Sequence, residues 1–193
     1  MGYVGLAATS VWIWRPSQVI VQEHYRTLVS QFENGAEQRR GKWARPIAQV
    51  QMRFDKPALT TDDIADIWRF YKAQQGNLYP FDLPLFGQLT AFAGAYSGGT
   101  SLVLADTQDL TTSATSRWNK IYTQNGGAGY DVFKITVVAS GSVTVQSATG
   151  NLYAIGNPVS PVIKARFADD LYSPEYLPAF LASVGLTFTE VRS

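Results

Sequence analysis

Alternation of apolar and polar side chains marks two strands early in the chain. Ala48, Val50, Met52 and Phe54 alternate with Gln49, Gln51 and Arg53, a period of two that gives one buried and one wet face. Tyr25, Thr27, Val29 and Gln31 alternate less cleanly with His24, Arg26, Leu28, Ser30 and Phe32, and the two segments are expected to pair. The connection between them, residues 33–43, is polar and carries Asn34-Gly35 as its turn signal. After Lys56-Pro57 the period becomes helical, with Ile64, Ile67, Trp68 and Tyr71 at i, i+3, i+4 and i+7. Thr60 or Thr61 is the expected cap, and Asp62, Asp63 and Asp66 complement the positive end of the helix dipole. Gly76 is the expected stop, with Lys72 in the last turn and Pro80 beyond it. Over 185–191 a further strand is expected, with Leu186 and Phe188 on one face and Thr187 and Thr189 on the other.

Charge density separates this material from the middle of the chain. Residues 1–82 hold 18 charged side chains, 83–163 hold 6 and 164–193 hold 7, and the middle part also has 10 of the 16 glycines. Short β-rich runs at 101–105, 132–138 and 142–146 sit between frequent turns there, which predicts a small all-β module over 85–159. The expected organisation is one unit built from 1–84 and 160–193, with 85–159 inserted. The expected fold class is mainly β with one main α-helix.

The 193 residues carry 16 Lys plus Arg against 15 Asp plus Glu, a balance that gives no electrostatic case for a nucleic-acid binder. With 46% apolar residues the chain has enough to bury a core. Without cysteine it has no disulfide and no thiolate metal site. The stretch 83–105 is uncharged but interrupted by glycines, glutamine and serines, so no membrane insertion is expected. No Lys or Arg precedes Arg15 and no cleavage signal follows the first apolar run, so no secretory signal is expected.

Catalytic patterns are weak. His24 is the single histidine and cannot anchor a histidine metal cluster. Gly41-Lys42 is followed by Trp43 where a phosphate loop needs Ser or Thr, and 126–129 lacks the context of a dinucleotide fingerprint. The carboxylates Asp62, Asp63 and Asp66 are explained by a helix start, and Asp169-Asp170 by a turn, leaving only a remote glycosidase reading. No cofactor, no metal and no enzymatic activity are therefore expected. Arg39, Arg40, Lys42 and Arg45 around Trp43 suit either a nucleic-acid patch or, given Glu33 and Glu37 beside them, an ion-paired loop. Trp12 and Trp14 alternate with Val11 and Ile13, and suit either a core or a partner surface. Trp118, Tyr122, Tyr130 and Tyr153 suit either core packing or a sugar platform, with Trp118 and Tyr122 as the possible glycan contacts.

Three stretches, in order, resemble a family of phage tail proteins, the distal tail proteins also found in gene transfer agents. The loop with Gly35, Glu37, Arg39 and Trp43 is similar to the family's Gly-x-Glu-x-Arg followed by Trp. The helix over 59–75, containing Trp68 and stopped at Gly76, leads to an aromatic strand at Phe81 as the family's does. Arg166, Phe167 and Asp169, with the closing run 186–192, resemble the family's Arg-Phe-x-x-Asp strand and terminal strand. The opening 11–16 departs from the family's Phe-Pro-rich start, and 85–159 is poorly matched.

The resemblance implies a tail-tube-like β-sandwich or rolled sheet flanked by a helix, assembled as a homo-oligomeric ring, usually a hexamer, at the distal end of a siphophage-type tail. The implied partners are the tail tube protein and a baseplate hub or tail fibre protein, with DNA only in transit through the lumen. Glu37, Arg39, Arg40 and Trp43 are the implied subunit contacts. The different class of function left open is a carbohydrate-binding module or adhesin, in which 85–159 contacts host surface glycans.

Overall fold

The computed structural model describes residues 11–25, 27–32, 37–41, 46–54, 61–87, 89–113, 117–125, 129–170, 172, 174–177 and 181–191. The fold is mainly β with one α-helix and a large antiparallel sheet. The first strands are β1 (Gln18–His24), β2 (Thr27–Gln31), β3 (Glu37–Gly41) and β4 (Ile47–Phe54), followed by the helix α1 (Thr61–Ala73). Next come β5 (Phe81–Pro84), β6 (Thr90–Ala91), β7 (Ser101–Val103), β8 (Lys120–Asn125), β9 (Gly129–Ala139) and β10 (Ser142–Val145). The last are β11 (Pro158–Phe167), β12 (Glu175–Leu177) and β13 (Leu181–Glu190).

Eleven strands form one sheet whose main path runs β1-β4-β13-β11-β8-β9-β10-β7, while β2 and β3 form a separate two-stranded ribbon. The alternation in β4 works as expected. Ala48, Val50, Met52 and Phe54 are buried, and Gln51 and Arg53 are exposed. Val184, Leu186 and Phe188 of β13 are buried beside them, in register with Phe54, Met52 and Val50. One expected pairing is corrected: β4 pairs with β1, not with the 24–32 segment. Residues 27–31 pair instead with Glu37–Gly41, so the polar connection contains a strand. The turn signal Asn34-Gly35 lies outside the described residues.

A 13-residue helix is marginal alone in water, and α1 is held by its apolar stripe. Ile64, Ile67 and Phe70 are buried against β4, β5, β11 and β13, each burial contributing about 1.5–3 kcal/mol. Trp68 departs from the expected stripe: it is 46% exposed, with the Lys72 ammonium 3.5 Å over its ring. The stripe runs through Phe70 instead. Trp12 is fully buried at the centre of this cluster, its ring 5.2–6.2 Å from Phe54, Phe70, Phe81, Phe167 and Phe188. Its backbone N–H donates to the Asp82 carbonyl and its indole N–H to the Trp14 carbonyl.

The buried apolar residues form two clusters. One combines Trp12, β4, α1, β5, the C-terminal half of β11 and β13. The other runs from Phe92 to Val159 and includes Tyr96, Leu102, Leu104, Phe133, Ile135, Val143, Val145 and Tyr153. The two meet on β11, which pairs with β6 and β8 through residues 158–161 and with β5 and β13 through residues 162–167. Trp118 packs against both clusters. Asp82, 6% exposed, ties the junction together, accepting from the Lys120 ammonium at 2.9 and 3.1 Å with Lys164 3.4 Å away.

Candidate assembly surface

The part of the molecule least able to stand alone is the ribbon β2-β3. Every residue of β2 and β3 whose side chain is described is exposed, so both faces of the ribbon are bare. A two-stranded hairpin without a covered face is at best marginally stable in water. Its apolar side chains are also uncovered, with Tyr25 70%, Val29 52% and Phe32 53% exposed. Val29 lies opposite Arg39 and Gln31 opposite Glu37, so these four share one face. On that face the Arg39 guanidinium donates to Glu37 at 3.1 Å. Ser30 lies opposite Gln38 on the other face.

The ribbon continues from the end strand of the main sheet. β1 pairs only with β4 among the described strands, and it exposes Ile20 and Val21 on opposite faces. A seven-residue end strand with three successive apolar residues is a template for pairing with another chain. Beside it, the outer face of β1, β4 and β13 presents Gln18, Gln22, Gln49, Gln51, Thr187 and Thr189, and forms a shallow depression of about 530 Å³ around Gln51 and Gly185. Arg53 is the one Lys or Arg among the described residues of those three strands.

The other sequence-derived residues are dispersed. Glu37, Arg39 and Arg40 sit on the ribbon, while Gly35 and Trp43 lie outside the described residues. Gly76 ends α1 with φ +64°, and the neighbouring Asn77 N–H donates to Asp170 at 2.9 Å. Phe81 and Phe167 are buried in contact, with ring centroids 5.2 Å apart. Arg166 and Asp169 are exposed. The helix therefore closes onto the segment after β11, which unites the second and third motif stretches by packing and not as a reactive site.

Trp118 and Tyr122 do not form one exposed platform, because Trp118 lies between the clusters and Tyr122 is 3% exposed. Burial pushes the Tyr122 phenol well above the usual tyrosine range, reinforced by Tyr130 and opposed by Arg15. Burial likewise raises Tyr153, whose hydroxyl donates to Asp131 at 2.7 Å. The same carboxylate oxygen accepts from Thr149 and Asn151, so Asp131 organises the 149–153 segment.

No group of three or more His, Asp or Glu able to hold a metal occurs among the described residues. No helix among them is long and apolar enough to cross a membrane. The sequence signal for the end strand was Val19-Ile20-Val21, three apolar residues in succession, which period-two counting passes over. A comparison with protein-family models finds no match, and a comparison with curated proteins finds none either.

Proposed function

We propose that this chain is a structural subunit of a phage-type tail, a distal tail or baseplate ring protein that acts by assembly and not by catalysis. In this reading copies join into a closed ring, usually of six subunits in the family that the sequence resembles, between the tail tube and the baseplate hub or fibre. The observation that carries it is the bare ribbon β2-β3 extending from the open end strand β1. A heterologous contact needs two different patches on each copy. Here an arm carries exposed Val29 and Phe32, and beside it lies a strand edge that pairs with no other strand among the described residues. Glu37, Arg39 and Arg40 would fix register across the contact more than they add affinity.

The polar face of β1, β4 and β13 suits the wall of a DNA passage. Phosphate binds clustered cations through counterion release, and this face has Arg53 alone among described Lys and Arg residues. A wall mostly of amides and hydroxyls, interrupted by Ile20, lets a polyanion slide without holding it. The place of action in this reading is the distal end of the virion tail.

Light scattering with negative-stain microscopy at micromolar protein, alone and with tail tube or hub protein, tests the reading. Rings of uniform size under either condition are expected. A monomer that neither forms rings nor binds tube or hub protein overturns it.

A further inference from the structure

We propose that a pocket at the junction of the two hydrophobic clusters binds a saccharide unit that carries a carboxylate. The pocket has a volume of about 380 Å³ and is lined by Arg15, Phe86, Tyr122, Gln124 and Ser160, with Gly156 and Pro158 along one side. That volume lies within the range of small-molecule sites, whose walls are mostly apolar with a few placed polar groups. Residues far apart in sequence meet here, so the pocket is a product of the fold and not of one loop.

Its apolar wall is the Phe86 ring, backed by Tyr122, which is 3% exposed. Phe86 and Tyr122 lie with centroids 5.7 Å apart at 70° to each other. Phe86 has φ 50°, a left-handed conformation that bulky residues rarely adopt and that persists only where the surroundings enforce it. Gly156 also has positive φ, and a Cβ placed on it meets no atom within 4 Å, so that side of the wall is open space.

The polar groups are equally specific. The Tyr122 hydroxyl donates to the Gln124 side-chain oxygen at 3.2 Å, which leaves the Gln124 amide NH2 to donate elsewhere. Ser160 is 7% exposed, and its hydroxyl makes no hydrogen bond to any described residue. A buried hydroxyl facing a cavity without a protein partner is a group awaiting one. At the mouth stands Arg15, exposed, without a carboxylate partner among the described residues, and close enough to Tyr122 to oppose the rise in its pKa.

These features select the ligand class together. A pyranose has an apolar C–H face for Phe86 and an edge of hydroxyls for Gln124 and Ser160. A carboxylate on that ring meets the fork of Arg15, whose planar donors match it in a bidentate pair. A carboxylate without hydroxyls leaves Gln124 and Ser160 unsatisfied, and a neutral sugar leaves Arg15 unused.

Calorimetric or ligand-observed magnetic-resonance titration of the full chain with D-glucuronate, D-glucose and acetate tests this. Saturable binding of glucuronate at millimolar concentration is expected, with glucose and acetate each weaker by about tenfold or more. Arg15→Ala should bring glucuronate to the level of glucose, and Ser160→Ala should weaken both sugars while leaving the circular dichroism spectrum unchanged. Glucuronate binding that survives Arg15→Ala, equal binding of acetate, or no binding at tens of millimolar overturns the proposal. The site lies within one copy of the chain, so its failure says nothing against ring assembly, and a failure to form rings says nothing against the pocket.

Discussion

At Gly76 two constraints coincide. Its φ of +64° disfavours any side chain, and a Cβ there would lie 2.5 Å from the Asp170 carboxylate that accepts from Asn77. Gly76→Ala should therefore destabilise the protein by about 2–3 kcal/mol, combining the left-handed cost with displacement of Asp170. For a chain of this size that is a fall in Tm of about 4–12 °C, read by thermal melting. In the Asp170→Ala background the added loss should be smaller, because only the backbone cost remains. The buried phenols give a second expectation at this scale. Tyr122 and Tyr153 have folded-state pKa values above the ordinary 10.0, so the folded state binds more protons than the unfolded state once the pH passes that value. Their contribution to stability is whole below pH 10 and falls as the pH climbs toward the folded-state values. Phenolate absorbance should show these two rings ionising together with unfolding.

Among the elements, the ribbon and the helix respond to substitution in opposite ways. Val29→Asp with Phe32→Asp adds charge where both side chains are already half exposed, so the monomer's stability should change by no more than about 0.5 kcal/mol. Self-association or binding to tube or hub protein should be lost, as sedimentation would record. Legibility in the sequence follows the same division. The period-two strand at 48–54, the helix and its Gly76 stop, and the strand with Leu186 and Phe188 are readable because each has one buried face. β3 is unreadable, since Glu37-Gln-Arg-Arg-Gly41 has no apolar face and its strand form rests on the ladder to β2. Trp68 misleads because it lies beside the buried stripe, where Lys72 covers it. In β8, Ile121, Tyr122 and Thr123 are all buried, so alternation vanishes where both faces of a strand are covered. The Arg15–Phe86–Tyr122–Ser160 pocket had no local signature because its parts come together only through sheet pairing.

For the whole molecule, the decisive contact is the junction between the two clusters. Asp82 on β5 holds Lys120 on β8 across it. Asp82→Ala leaves the Lys120 ammonium without its partner and should cost about 1–3 kcal/mol, toward the lower end because that side chain is 31% exposed. Hydrogen exchange should quicken first in β5 and β8, before the centres of either cluster. An effect spread evenly over the molecule would show that the junction is not the weak plane.

The shared strand β11 also bears on how the chain is made. Strands β4 to β10 leave the ribosome before β11, yet neither cluster can close without it, and the first also waits for β13. Synthesis at about 5–20 residues per second then leaves apolar strands uncovered for several seconds, the interval in which chaperones act on nascent chains. A copy broken off before residue 158 lacks β11 and β13 and should be degraded faster than the full chain. Translation itself thus acts as an inspector, since a copy that stops short never gains a folded surface to offer its neighbours.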